Sequence, residues 1–293
     1  MRAPARDSWA ALRAIWALLR RDLRVWTYFR FNFMVAQIDS LVEVLILFMI
    51  IRFKPGDEML ASFGNNYVAF VITGMAVNAL LGTALSAPYS SLMGAFWSNR
   101  LEVLLLSPIS LPMFIFGTSL GSYVKAVLPV AQYLLVGLMF FGLTFAPNAP
   151  HAQAVGVAAL GMLACAGLGL AAASMAYFLD ARGGSDPVQF FVTLIAGFAC
   201  GVYFPVQVMP RWVQWTACLV PHTYALDGAR RLLLGGSAQQ PSLLIHTTIP
   251  LEPVATDVAL LLVQVCLWLP VGWFLFEKGI ARARIDGRMS RWV

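Results

Sequence analysis

Ionisable residues inside apolar segments are the first candidates for chemistry in this 293-residue chain. Asp39 and Glu43 lie one helical turn apart in one apolar run, and Lys125 is the only basic residue clearly inside another. Because two neighbouring carboxylates are not expected to ionise together in hydrocarbon without a cation, we predict that Lys125 pairs with one of them. This polar set would belong to a solute path or a mobile helix contact, or it would be a structural tie near the cytoplasmic interface.

Enzymatic chemistry has weaker candidates. A phosphate-binding P-loop needs a glycine-rich segment before its lysine, and the only lysines, Lys54, Lys125 and Lys278, do not follow such a segment. Residues 227–230, Asp-Gly-Ala-Arg, contain part of the acidic signature of membrane phosphatidyltransferases, but the spacing is wrong and no acidic residue follows before Glu252. We therefore predict that the chain is not an enzyme and that any ATP it uses is hydrolysed on a separate protein.

Metal and redox sites are not expected. His151, His222 and His246 fall in segments predicted to be external loops and are far apart in sequence, so we predict no metal site. The cysteines lack paired spacing and are interpreted as small apolar residues: Cys165, Cys200, Cys218 and Cys266. No cofactor is expected to bind to this chain.

The composition is typical of an integral membrane protein. Hydrophobic residues make up 60% of the chain and charged residues 12%, with a mean hydropathy of +0.75, far from the values of soluble domains. The net charge of +6 could suggest nucleic acid. However, the basic residues lie beside apolar segments rather than on one basic face, so they indicate membrane orientation and argue against nucleic acid as a partner.

Six apolar segments predict an all-α polytopic membrane protein with six transmembrane helices and a single domain over residues 1–293, since a span needs about 20 residues. They are residues 35–51, 67–96, 113–144, 152–179, 188–203 and 254–276. The excess of lysine and arginine on one side of this topology places both termini and residues 98–112 in the cytoplasm.

Residues 8–31 predict an amphipathic interfacial helix ahead of the first span. Its apolar face carries Trp9, Leu12, Trp16, Leu19, Leu23 and Trp26, and its other faces carry Arg13, Arg20, Arg21 and Arg24. Tryptophan opposite arginine is typical of a helix that lies in the headgroup plane of the membrane. A solvated cytoplasmic helix packed on a neighbour is the alternative.

Residues 201–236, between the fifth and sixth spans, form an apolar stretch divided by proline. Pro205, Pro210 and Pro221 leave segments too short to cross the bilayer. We therefore predict a re-entrant helical hairpin that enters the membrane from the outer side and turns back. Irregular backbone at that depth must be buried in protein or line a wet cavity, so this hairpin is a candidate outer gate. The alternative is an apolar loop resting on the membrane surface.

In this hairpin the sequence resembles the membrane subunits of bacterial ABC-2 type exporters. That family shows a Gly-x-x-Phe-Pro turn, then Pro-x-Trp, then an Asn-Pro-Leu-Thr-Tyr-like stretch leading to Ala-x-x-x-x-Arg. The matching residues are Gly201, Phe204, Pro205, Pro210, Trp212, Pro221, Thr223, Tyr224, Ala225 and Arg230. Val220 and His222 stand where the family has asparagine and leucine.

Residues 98–112 resemble a second motif of the same family, Gly-Thr-Leu-Glu-x-Leu-Leu-x-Ser-Pro, which forms a coupling helix held in a groove of the ATPase subunit. The matching residues are Leu101, Glu102, Leu104, Leu105, Ser107 and Pro108, while Asn99 and Arg100 replace the Gly-Thr pair. The resemblance implies a permease of the bacterial inner membrane that works with two copies of a separate ABC ATPase, which bind ATP and Mg²⁺. A second copy of this chain or a homologous permease would complete the complex.

These features predict the export of an amphipathic drug-like, lipid or lipid-linked solute. A glycan exporter of the same family is one alternative, and a secondary transporter or channel that needs no ATPase is an alternative from another class. The exporter is expected to be inactive until an ATPase is added, whereas the secondary transporter would work under an ion gradient alone.

Overall fold

The computed structural model describes residues 8–52, 67–98, 100–106, 109–178, 187–235, 243–247 and 251–286. Within these ranges the regular structure is helical and contains no strand, which confirms the predicted all-α class. The α-helices of these ranges are α1 (Ser8–Tyr28), α2 (Arg30–Arg52), α3 (Tyr67–Trp97), α4 (Arg100–Leu106), α5 (Leu111–Phe140), α6 (His151–Phe178), α7 (Pro187–Phe198), α8 (Arg211–Ala217), α9 (Pro221–Leu234) and α10 (Pro253–Ile285). Two 3-10 turns occupy Val206–Val208 and Leu244–Thr247.

Four of the described helices, α3, α5, α6 and α10, are long and apolar enough to cross a membrane. They contain 31, 30, 28 and 33 residues, and a helix of about 30 residues is about 45 Å long, against about 30 Å of hydrocarbon. These helices coincide with the second, third, fourth and sixth predicted spans. The first predicted span lies within α2.

The fifth predicted span is shorter than expected. The prediction extended it to residue 203, but α7 ends at Phe198 after 12 residues, which is about 18 Å of helix. The chain turns at Gly201, whose φ of 87° is a conformation that glycine adopts without strain. The apolar residues after Phe198 therefore belong to a turn.

Helix α3 lies at the centre of the bundle, where it packs against α5, α6 and α9. Two thirds (67%) of its most apolar segment is buried, compared with 17% for α5 and 11% for α10. Its buried side chains include Phe70, Ile72, Leu81 and Leu85. The hairpin helix α9 is thus held against the most buried of these four long helices.

Helices α6 and α10 approach each other closely because glycines line their contact. A Cβ atom on Gly167 would lie 2.5 Å from the backbone carbonyl carbon of Trp268, and a Cβ on Gly272 would overlap the carbonyl oxygen of Gly167. Small residues at helix contacts are typical of membrane bundles, where they let backbones approach.

Helix α1 is present as predicted for residues 8–31, although it ends at Tyr28. Leu18 is buried against Gly117 of α5, and Asp22 lies beside Gly121 one turn further along. The side chains left exposed include Trp9, Leu12 and Trp16. One face of α1 therefore packs on the bundle while much of the tryptophan-bearing face points outward, and its place in the headgroup plane stays a prediction.

Candidate functional site

Residues 201–235 of the predicted outer hairpin fold into a turn and two short helices, while its last residue, 236, lies outside the described part of the structure. Pro210 precedes α8 and Pro221 stands in the first turn of α9, where the missing N–H of proline is not needed. Gly235 ends α9 in the left-handed conformation, with φ of 68°. Helices of 7 and 14 residues measure about 10 and 21 Å, too short to cross a bilayer. The depth of the hairpin in the membrane stays a prediction.

The predicted gate residues fall into two groups. The buried group is Gly201, Pro205, Pro221, Tyr224 and Arg230. The exposed group is Phe204, Pro210 and Trp212. The hairpin therefore has a packed side that holds its shape and an aromatic side that faces away from the bundle.

Polar side chains within the hairpin bind the carbonyls that its turns leave free. The Tyr224 hydroxyl donates to the carbonyl oxygen of Cys218 at 2.8 Å, and Gln214 Nε2 donates to that of Met209 at 2.7 Å. Such bonds satisfy backbone carbonyl groups at the ends of the short helices and in the turns between them. The hairpin is consequently an ordered structure with its own hydrogen bonds.

Arg230 fastens α9 to α3 and to the turn after α7. The residue is 4% exposed. Its guanidinium donates hydrogen bonds to three backbone carbonyl oxygens, those of Phe70 (3.1 Å), Gly201 (2.5 Å) and Val202 (2.8 Å). It also lies 3.6 Å from the centre of the Phe70 ring, a cation–π contact. One buried cation thus joins three segments of the chain.

Two glycines make room for this guanidinium. A Cβ on Gly74 of α3 would overlap Arg230 Nη2, and a Cβ on Gly201 would lie 2.9 Å from Val206 Cγ2. Gly201 was predicted from its place in the hairpin motif, but Gly74 was not. Gly74 lies opposite an arginine that is far along the chain, so no local sequence pattern marks it. Only covariation between the two positions among relatives could have identified it.

The predicted coupling segment is helical over Arg100–Leu106, about 10 Å long. Leu101 is 1% exposed and Leu104 is partly buried, whereas Val103 and Leu106 are 68% and 90% exposed. The side chains of Glu102 and Leu105 lie outside the described part of the structure, as do residues Asn99, Ser107 and Pro108. The described residues give α4 one packed face and one open face.

The predicted polar set forms different contacts from those expected. Glu43 accepts a hydrogen bond from the hydroxyl of Tyr133, and among the described side chains Lys125 forms no ion pair with Asp39 or Glu43. The physical reason is the register of the two helices. Tyr133, the partner of Glu43, lies eight residues beyond Lys125 on α5, about 12 Å along the axis, so Lys125 and Glu43 lie at different levels of the bundle.

A ladder of neutral polar groups joins α2 to α5 near this point. Ser40 Oγ donates to Gln132 Oε1 at 2.5 Å, and Gln132 Nε2 donates to Gln37 Oε1 at 2.7 Å. The sequence prediction rested on charged residues, so it did not include this contact between neutral side chains. Side-chain hydrogen bonds of this kind hold helices together in apolar surroundings.

An open apolar groove of about 1250 Å³ runs between α3 and α7. Its lining includes Tyr89, Met93 and Trp97 of α3 and Phe190, Phe191 and Phe198 of α7. Ser86, Ser90 and Gln189 add a few polar groups. A mostly apolar cavity with few polar groups suits an amphipathic molecule.

The three histidines do not share the loop positions predicted for them. His222 is buried in α9 with Nδ1 3.7 Å from Cys165 Sγ, whereas His151 is exposed at the start of α6. His246 lies in the turn Leu244–Thr247, with Nε2 2.9 Å from Asp257 Oδ1. The contact with Asp257 of α10 could not be inferred from sequence spacing.

Comparison with known proteins identifies the family. The family model for the ABC-2 type transporter matches residues 13–234, about three quarters of the chain. The chain belongs to the ABC-2 type transporter family. The inner membrane transport permease YadH of Escherichia coli K12 is 24% identical over 274 residues, which are 92% of this chain and 96% of YadH. YadH of Shigella flexneri matches with the same figures.

The ABC-2 match extends from α1 to the end of α9. It therefore contains α4, the α3–α7 groove and the outer hairpin, and leaves α10 outside. The family consists of transport permease components and is not an enzyme family, so membership assigns this chain to a transport system.

Proposed function

We propose that this ABC-2 permease is the membrane subunit of an ATP-driven exporter and that α4 transmits the motion of a separate ATPase into the bundle. The two faces of α4 carry this proposal. Leu101 is anchored in the bundle at 1% exposure, whereas Leu106 is 90% exposed. A short helix with one anchored face and one bare apolar face is suited to a groove on a partner protein.

The anchored face of α4 contacts the long helices that would have to move during transport. Leu101 belongs to a cluster with Phe96 of α3, Phe114 of α5 and Phe276 of α10. Because packed clusters resist deformation, a displacement of α4 would shift these helices as bodies. The expected partner is an ABC ATPase in two copies, which supply the ATP and Mg²⁺ sites.

The proposed topology has six spans in the bacterial inner membrane, with both termini in the cytoplasm. The name of the relative YadH, an inner membrane transport permease, supports the location. Since α7 is too short for a full crossing, the outer hairpin would complete it by re-entering the membrane from outside. The exposed apolar side chains of the hairpin, among them Phe204, Trp212 and Leu219, support this placement.

The α3–α7 groove is proposed to form one side of the solute path. It is open in one copy, so a second permease, identical or homologous, would close it. Its aromatic lining favours an amphipathic drug-like, lipid or lipid-linked solute. A glycan stacked on the same aromatic residues is the second candidate.

A lysine on the open face of α4 tests the proposal. We expect Leu106→Lys to weaken association with the ATPase by at least about tenfold and to abolish ATP-dependent transport, with a normal level of the permease in the membrane. Co-purification and solute uptake into inverted vesicles are the measurements. Ile285→Lys, at a position that is 85% exposed at the end of α10, is the matched control and should behave like wild type.

Two results would contradict the proposal. Normal ATPase association and transport by Leu106→Lys would show that α4 is not the docking helix. Transport by the purified permease alone under an ion gradient would instead support the secondary transporter.

A further inference from the structure

Three side chains that are far apart in sequence meet on the proposed outer side of the bundle. They are Asp227 of α9, His246 of the turn Leu244–Thr247 and Asp257 in the first turns of α10. One potential ligand atom from each lies within 4.8 Å of the others. The ABC-2 match covers only Asp227, so nothing in the family match assigns a role to this cluster.

Two atoms of the cluster are buried without a hydrogen bond. The side chains of His246 and Asp257 are 2% and 0% exposed. His246 Nε2 lies 2.9 Å from Asp257 Oδ1, but within the described residues Asp257 Oδ2, as an ionised carboxylate, and His246 Nδ1 have no hydrogen-bond partner. A proton on Asp257 would allow a hydrogen bond with Asp227. A buried polar atom left in this way is costly unless a ligand binds it.

Among the described side chains, no arginine or lysine forms an ion pair directly with Asp257, although Arg231 acts on it electrostatically. Arg231 forms its ion pair with Asp227, with Nε 2.6 Å from Oδ2, and the guanidinium of Arg230 is bound to backbone carbonyls. The ion-pair contact of Asp257 within the described residues is the imidazole of His246. A fully buried carboxylate beside a second carboxylate requires either a proton or a metal ion.

The chemistry of the three ligands favours a metal ion. A neutral imidazole is the form that coordinates metals. Two carboxylate oxygens and one imidazole nitrogen suit zinc and similar ions, with a fourth position for water. Ligand atoms around tetrahedral zinc lie about 3.4 Å apart, so the observed spacing needs only small side-chain movements.

We propose that Asp227, His246 and Asp257 bind a divalent transition-metal ion of the zinc class, which fastens the outer hairpin to α10. The ion joins the buried helix α9, the turn before α10 and α10 itself. It therefore stabilises the packing of the hairpin on α10, independently of how transport is driven. This proposal replaces the expectation from sequence spacing that the histidines take no part in a metal site.

Zinc binding to the purified full-length permease tests the proposal. After removal of metals with a chelator, we expect dialysis against zinc chloride to load about one zinc ion per chain and to raise the thermal unfolding temperature. Asp257→Asn and His246→Gln should each weaken zinc binding by at least about tenfold. His151→Gln also removes one histidine, but from an exposed position, and should bind zinc like wild type.

Several outcomes would overturn the proposal. Wild-type protein that retains no more zinc than His246→Gln contradicts it, and so does an unfolding temperature that responds to pH but not to zinc, which would indicate a proton in place of the metal. If a variant does not fold, X-ray absorption of zinc-loaded wild-type protein decides: a shell of oxygen and nitrogen with one imidazole supports the site, and its absence contradicts it.

Discussion

At the scale of single residues, Arg230 shows what a motif can and cannot predict. The hairpin motif identified Arg230 and Gly201, because both belong to one local stretch of sequence. It could not identify their partners on α3, since Phe70 stands 160 positions before Arg230. Gly74 is recognised only when the guanidinium is seen to occupy the space where its Cβ would lie.

Adding one methyl group at Gly74 should therefore destabilise the outer hairpin. We expect Gly74→Ala to cost about 1–3 kcal/mol, as other overpacked sites do, because Arg230 must leave its carbonyl acceptors to avoid the new atom. Gly82→Ala is the matched control on α3, because its Cβ would meet no atom within 4 Å. Thermal unfolding in detergent measures both, and equal unfolding temperatures for the two variants would contradict this role of Gly74.

At the scale of elements, hydropathy predicted the long helices well but misplaced the C-terminal ends of α5, α7 and α10. Four of the six predicted spans coincide with helices long enough to cross a membrane. The fifth was overextended because apolar residues continue past Phe198, while the break at Gly201 depends on backbone conformation. The pairing predicted for Lys125 failed for a similar reason, since composition does not reveal the register between α2 and α5.

The contact between α6 and α10 also depends on backbone distance. Gly167→Ala should destabilise the protein by about 1–3 kcal/mol, because the new Cβ would meet the rigid backbone at Trp268. Gly156→Ala, on the same helix but in open space, should have no such effect. Unfolding temperatures of the two variants provide the measurement, and a stable Gly167→Ala protein would show that α10 can shift away without cost.

At the scale of the whole molecule, the open α3–α7 groove supports our proposal that one chain forms only half of the transport path. Large apolar side chains on α7 remain exposed, including Phe190, Phe191 and Phe198. Lipid could cover them, but a groove of about 1250 Å³ open to lipid along its length would not guide a solute across the membrane. A second permease whose α7 faces the first would enclose the groove and bury these aromatic residues.

Oxidative cross-linking distinguishes a groove that is closed by a second permease from one that is covered by lipid. A thiol is placed on successive turns of one α7 face by three single substitutions, Phe190→Cys, Leu194→Cys and Phe198→Cys. If two copies of α7 meet at a two-fold axis, at least one pair of equivalent cysteines should lie within the Cα distance of about 5.5–6 Å that a disulfide needs. The native Cys266 is exposed on α10, which we expect to face lipid, so wild-type protein is the control and should stay monomeric on a denaturing gel. Each α7 variant is therefore made with Cys266→Ser. If wild-type protein forms the covalent dimer through Cys266 and the α7 variants do not, the path cannot lie at an α7 contact, because the two copies would then meet through α10.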